Sequence, residues 1–146
     1  MGQINHKLMP SDLIGFKVRK LHNLLGKQWI QLSNQYDLRL SPVQAGILVF
    51  IDEHTGLTQK SLAGLLGVDA STLSQALQPL LDRSLIQKKS DPVDRRKLQM
   101  VLSNDGQHMI EVIEKVFAER QKKHLPGNLT PNELQTLHVL LDKMIN

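Results

Sequence analysis

Apolar residues recur along this chain at two spacings, and the spacing changes once. Leu13, Phe16, Val18, Leu21, Leu25, Trp29 and Leu32 recur at helical intervals and predict a long first helix, capped by Ser11 or Asp12 and running to about Gln35. Residues 1–10 read as a lead-in, and Tyr36–Leu40 as a connector. Ser41-Pro42-Val43-Gln44 starts a second helix with a capping serine, proline at the first helical position and a glutamine that reaches back, and Ile47, Leu48 and Ile51 face its core. Thr58 caps a third helix with the stripe Leu62, Ala63, Leu65 and Leu66, and Gly67 ends it. Asp69 caps a fourth, about Ala70 to Arg83, with Leu73, Leu77, Leu80 and Leu81 on one side. The period then drops to two: 85–89 and 98–102 read as strands, the second with Leu98, Met100 and Leu102 on one face. Ser103 restores the helical period, with Met109, Ile110, Ile113, Val116 and Phe117 running to about Leu125. Pro126-Gly127 breaks that helix, and Thr130-Pro131-Asn132-Glu133 starts the last, with Leu134, Leu137, Leu140, Leu141 and Ile145.

Two short helices joined by a tight turn containing glycine form a helix-turn-helix pattern, and a hairpin follows it. The fourth helix bears Ser71, Ser74, Gln75, Gln78 and Asp82 opposite its leucines. Serine, threonine and glutamine hydrogen-bond to base edges in a major groove, glutamine bidentate with adenine. A merely solvated face that happens to be rich in Ser and Gln fits this helix equally well. The hairpin weighs between them. Its loop, SDPVDRRK, turns at Asp91-Pro92 and presents Arg95, Arg96 and Lys97 in a row, with Lys88 and Lys89 at its base. Arginine inserts well into a narrow minor groove, where negative potential is enhanced.

From Leu62 to Gly106 the chain resembles the winged helix-turn-helix core of the MarR family of bacterial transcription regulators. The resemblance lies in the LAGLLGV turn, the leucine-rich exit of the fourth helix into Leu85-Ile86, and the DPVDRR wing followed by LSNDG. The flanking helices match in number and order. Two departures stand out. Val93 stands where some relatives carry an extra arginine in the wing, which lowers the charge of the tip. Gln75 stands where several carry arginine on the recognition helix, which leaves base preference there open and moves the expected weight of affinity to the wing.

The resemblance implies a mainly α fold with a small β-hairpin, as one domain of 146 residues. A winged helix-turn-helix lobe at 41–102 is flanked by dimerisation helices at 11–35 and 104–146. The apolar excess of the first and last helices points the same way, because each carries more apolar surface than one small core covers. The implied function is a homodimeric transcriptional regulator, expected to repress, that binds a pseudo-palindromic double-stranded operator. Ser71, Thr72, Ser74, Gln75 and Gln78 would meet bases or nearby phosphates. Arg95 would enter the minor groove, Arg96 and Lys97 would contact phosphate or brace the wing, and Asp94 would orient an arginine. Gln59 and Lys60 would touch the DNA backbone. The family also implies a small aromatic or anionic effector between the dimer helices and the DNA-reading lobe, with Trp29 as a candidate wall. The alternative is a winged-helix protein-interaction module that binds no DNA, kept open by the nearly uncharged recognition face.

Composition narrows the rest. A net charge of +4 suits nucleic acid without requiring it. With no cysteine, disulfides and thiolate metal sites are excluded. Three Phe, one Trp and one Tyr are few for a single-strand binder built on stacking. No long apolar run or signal segment is present, so a cytoplasmic protein without membrane attachment is expected. No catalytic motif is present, and no enzyme activity, cofactor or metal is expected. His6, His22, His54, His108, His124 and His138 include no pair at ligand spacing. A dispersed zinc site, as some relatives of the family use, would draw first on His54 and His108.

Overall fold

The computed structural model describes residues 13–122 and 127–146. The elements run α1 (Ile14–Gln35), α2 (Pro42–Glu53), α3 (Gln59–Leu66), α4 (Ala70–Asp82), β1 (Ile86–Ser90), β2 (Leu98–Leu102), α5 (Asn104–Lys122) and α6 (Pro131–Ile145). The fold is mainly α with one antiparallel hairpin, as expected. The proposed caps at Ser11 or Asp12, and the far end of the fifth helix at 123–125, lie outside the described residues.

Local chemistry accounts for most boundaries. Ser41 and Gln44 form the reciprocal capping box of α2. Thr58 does the same for α3 with Ser61, and Thr130 for α6 with Glu133. Asp69 accepts from the Thr72 amide at 2.7 Å and starts α4. Gly67, at φ 64°, closes α3 in the left-handed region that glycine enters without cost. At the end of α4 the same geometry is taken by Ser84, at φ 54°. The amide of Ser84 donates to the Leu81 carbonyl and that of Leu85 to Leu80, the paired bonds of a Schellman ending.

The chain divides into two compact units, Trp29–Glu119, and Met1–Gln28 with Arg120–Asn146. In the first, Ile47, Leu48, Leu62, Leu73, Leu80 and Ile113 are fully buried, so α2, α3, α4 and α5 all contribute to one core. Trp29 is also buried there, with its indole N–H donating to the Leu40 carbonyl at 2.8 Å and its ring 5.4 Å from that of Phe117. It is a core residue with a satisfied donor. Ser33 adds a second donor to the same carbonyl at 3.2 Å, which fastens the connector between α1 and α2.

Two positions depart from the expected stripes. Leu65 is exposed although it shares the helical spacing of Leu62, and Leu98 is exposed although it alternates with Met100. Both lie near the edge of their element's apolar face, where the core has ended. Gly106 shows why the start of α5 needs glycine: a Cβ there would stand 2.0 Å from the Leu85 carbonyl oxygen. The backbone of α5 therefore lies directly on the segment that joins α4 to the hairpin.

In the other unit the picture inverts. α6 has no buried residue, and Val139, Leu140, Met144 and Ile145 are exposed. Leu13, just before α1, and Phe16, Val18 and Leu24 in its first half are exposed as well.

Candidate nucleic-acid interface

Helix α4 is held by its apolar face. Leu73, Leu77 and Leu80 are at most 2% exposed. Ser71, Thr72, Ser74, Gln75 and Gln78 are all exposed on the remaining surface. Pro79 sits inside this helix. It has no N–H to give the Gln75 carbonyl, a defect worth roughly 3 kcal/mol in an isolated helix. Burial of the leucines on either side of it outweighs that cost. Gln44 helps: its carbonyl side completes the α2 cap, while its Nε2 donates to the Ala76 carbonyl of α4 at 3.3 Å. One side chain thus starts one helix and braces the next.

The exposed face is not uniform. Gln78 donates through Nε2 to Asp82 at 2.7 Å, so its amide is engaged one turn further along the helix. At the helix end, Arg83 donates to the carbonyls of Arg39 and Leu38 at 3.0 and 3.2 Å. The guanidinium thereby ties α4 to the connector after α1. No pattern in the sequence points to this contact, because a lone arginine after a helix reads as a solvated cation.

The wing is built by two aspartates. β1 and β2 pair antiparallel from Ile86↔Leu102 to Ser90↔Leu98. Beyond the last pair, Asp91 Oδ1 accepts from the amides of Val93 at 2.7 Å and Asp94 at 2.8 Å. Its other oxygen accepts from the Gln99 side chain. These donors, the Asp94 amide first, hold the Asp91 carboxyl below the usual aspartate range, because they favour its charged form. The next turn is closed by Lys97 N–H donating to the Asp94 carbonyl at 2.9 Å. Asp94 Oδ1 also accepts from the Arg96 amide at 3.1 Å. Arg95 and Arg96 are therefore the two central residues of a preset β-turn, both exposed. Asp94 positions the arginines through the backbone. Gln99 is the residue that sequence reasoning missed, since a single polar residue in a strand carries no signal of its partner.

β2 is anchored at its centre, where the Met100 amide donates to the Leu57 carbonyl at 2.8 Å, just ahead of α3. Gln59 and Lys60 follow in the first turn of α3, Gln59 half-buried and Lys60 exposed. All the residues expected to meet DNA thus lie in the unit Trp29–Glu119, on three elements with separate supports.

Other chemistry finds little footing. Among the described residues no three His, Cys, Asp or Glu side chains gather as a metal site. His54, which caps the end of α2, bonds to the Phe50 carbonyl of that helix, and His108 lines a shallow cavity of about 460 Å³ with Arg83 and Met109. No described helix is long and apolar enough to cross a membrane.

Comparison with known proteins agrees with this architecture. The MarR family model matches residues 40–97, from the lead into α2 to the wing. The transcriptional repressor NicR of Pseudomonas putida is 30% identical over 111 residues, covering 75% of this chain and 69% of that protein. A probable transcriptional regulator from Pseudomonas aeruginosa superposes with a TM-score of 0.82 at 29% identity, covering 93% of this chain and 99% of the other. BpsR of Bordetella bronchiseptica, whose DNA binding is regulated by 6-hydroxynicotinic acid, has the same fold, with a TM-score of 0.82, 24% identity and coverage of 94% and 96%. Members of this family are regulators and not enzymes, and their winged helix-turn-helix binds DNA. By sequence, fold and the arrangement of helix and wing, the chain belongs to the MarR family of transcriptional regulators.

Proposed function

We propose that two copies of this chain bind a pseudo-palindromic duplex and repress transcription from it. The observation that carries this reading is the pairing of an uncharged, hydrogen-bonding face on α4 with an arginine turn preset by Asp91 and Asp94. Two recognition helices would enter successive major grooves roughly 34–36 Å apart. Ser71, Thr72, Ser74 and Gln75 read base edges or nearby phosphates. Gln78 joins them at the far end of the face, its reach limited by Asp82. Arg95 enters the minor groove, Arg96 and Lys97 neutralise phosphate, and Gln59 and Lys60 contact backbone.

Dimerisation is supported by the uncovered apolar residues of α1 and α6, which one chain leaves in water. The flanking helices then serve the pairing of two DNA-reading lobes. A small aromatic or anionic effector is supported by the regulation of the Bordetella protein. Such a compound acts only through a difference in affinity between the DNA-competent and incompetent states.

Fluorescence anisotropy of the full chain tests the reading, on its own upstream duplex and a scrambled one over a salt series. Preference for the native duplex with a steep negative salt slope is expected, and Arg95→Ala should lower that slope by about one. Wild-type binding equal on both duplexes, or an unchanged slope in the variant, overturns it.

A further inference from the structure

At the tip of the wing stands a valine. Val93 is 94% exposed, more than any other large hydrophobic residue among those described. It is also rigidly displayed. Its own amide and the next are both held by Asp91 Oδ1, and Pro92 fixes the backbone before it. Valine is stiff at χ1, so covering it costs little side-chain freedom. Scattered apolar residues on a surface need no partner. This one differs by its setting, since Arg95, Arg96 and Lys97 follow it and Lys88 and Lys89 lie on the strand before it, all exposed.

Asp91 and Asp94, the carboxylates nearest Val93, accept from amides of the loop itself, and an apolar point beside the exposed cations fits a surface that is apolar between two rows of anions. The minor groove of duplex DNA is such a surface. Deoxyribose C–H groups line its walls, phosphates run along both rims, and it is about 6 Å wide. We propose that Val93 packs against the deoxyribose wall of the minor groove and seats the wing through a contact that does not depend on salt. The inference rests on the DNA-binding reading above. An anionic membrane offers a similar alternation, but lasting insertion there needs far more apolar area than one valine supplies.

Val93→Ala and Val93→Thr in the full chain test this, with Arg95→Ala as contrast. Nothing in the fold covers Val93, so both variants should melt with the wild type. Each should weaken binding to the upstream duplex about fivefold, in line with the methyl surface removed. Their salt slopes should run parallel to the wild type's, whereas Arg95→Ala flattens its own. Hydroxyl-radical cleavage reads the accessibility of deoxyribose hydrogens, and Val93→Ala should restore cleavage of sugars beside each half-site. Wild-type affinity in both valine variants overturns the proposal, as does a loss that comes with a changed slope. So does wild-type binding to phosphatidylserine vesicles that Val93→Ala abolishes while duplex affinity stays constant. Failure of the wild type to prefer its duplex is a different result, visible without any variant, and removes the DNA reading itself.

Discussion

Helix α4 and the wing both display polar side chains to solvent, and they are held there by opposite means. The helix is fixed from behind. Its leucines are buried on the side that meets α2, α3 and β1, and this burial carries it through a proline that local propensity rejects. The wing has almost nothing behind its tip. Its geometry depends on carboxylate oxygens of Asp91 and Asp94 that collect backbone amides of the loop. A packed element tolerates poor local chemistry and fails when its core is opened. A loop held by hydrogen bonds has no such reserve, and small chemical changes at one carboxylate reach its whole tip.

That contrast can be broken in order of expected effect. Leu80→Ala removes a side chain with no exposure and should destabilise the protein by about 2–5 kcal/mol in urea unfolding. A loss below about 1 kcal/mol would mean that α4 is not held by packing. Pro79→Ala restores a helix donor at an exposed position and should stabilise the protein by about 1–3 kcal/mol. If stability falls instead, the proline does something for α4 that its local cost conceals. Asp91→Ala should behave in the reverse manner. The melting temperature should hardly move, while duplex binding weakens on the order of tenfold, because the tip must be ordered at the moment of binding. A large drop in melting temperature would place Asp91 in the support of the core.

The smallest effect is set by pH. The Asp91 carboxyl titrates below the ordinary aspartate value of 3.8 in the folded chain, so its bonds are complete above that value. They are lost as pH falls through the lower folded value. Asp69, held down first by the Thr72 amide, follows the same course at the start of α4. Amide resonances of Val93 and Asp94 should therefore shift with an apparent pKa under 3.8 while those of Leu77 and Leu80 stay in place. A midpoint at or above the ordinary value contradicts the Asp91 latch.

The helix starts were legible because they are written in neighbouring residues. Ser41 with Gln44, Thr58, Asp69, Ser103 and Thr130 each cap amides within three positions, and such bonds need no knowledge of the rest of the chain. Asp91-Pro92 announced a turn for the same reason. The alternation from Leu98 to Leu102 announced a strand, and the basic loop announced a wing.

What the tertiary structure alone decided are the contacts that span long separations. Arg83 reaches Arg39 across 44 positions, and Gln44 reaches Ala76 across 32. Gly106 must be glycine because Leu85 lies against it, a demand that no neighbour in the chain reveals. Leu65 and Leu98 satisfy the spacing of a buried stripe and are exposed, since spacing assigns a residue to a face and only packing determines how far the core extends along it. Local chemistry therefore placed the elements of this regulator. Which side chains stand outside the core, Leu65 and Leu98 among them, was decided by how those elements fold against one another.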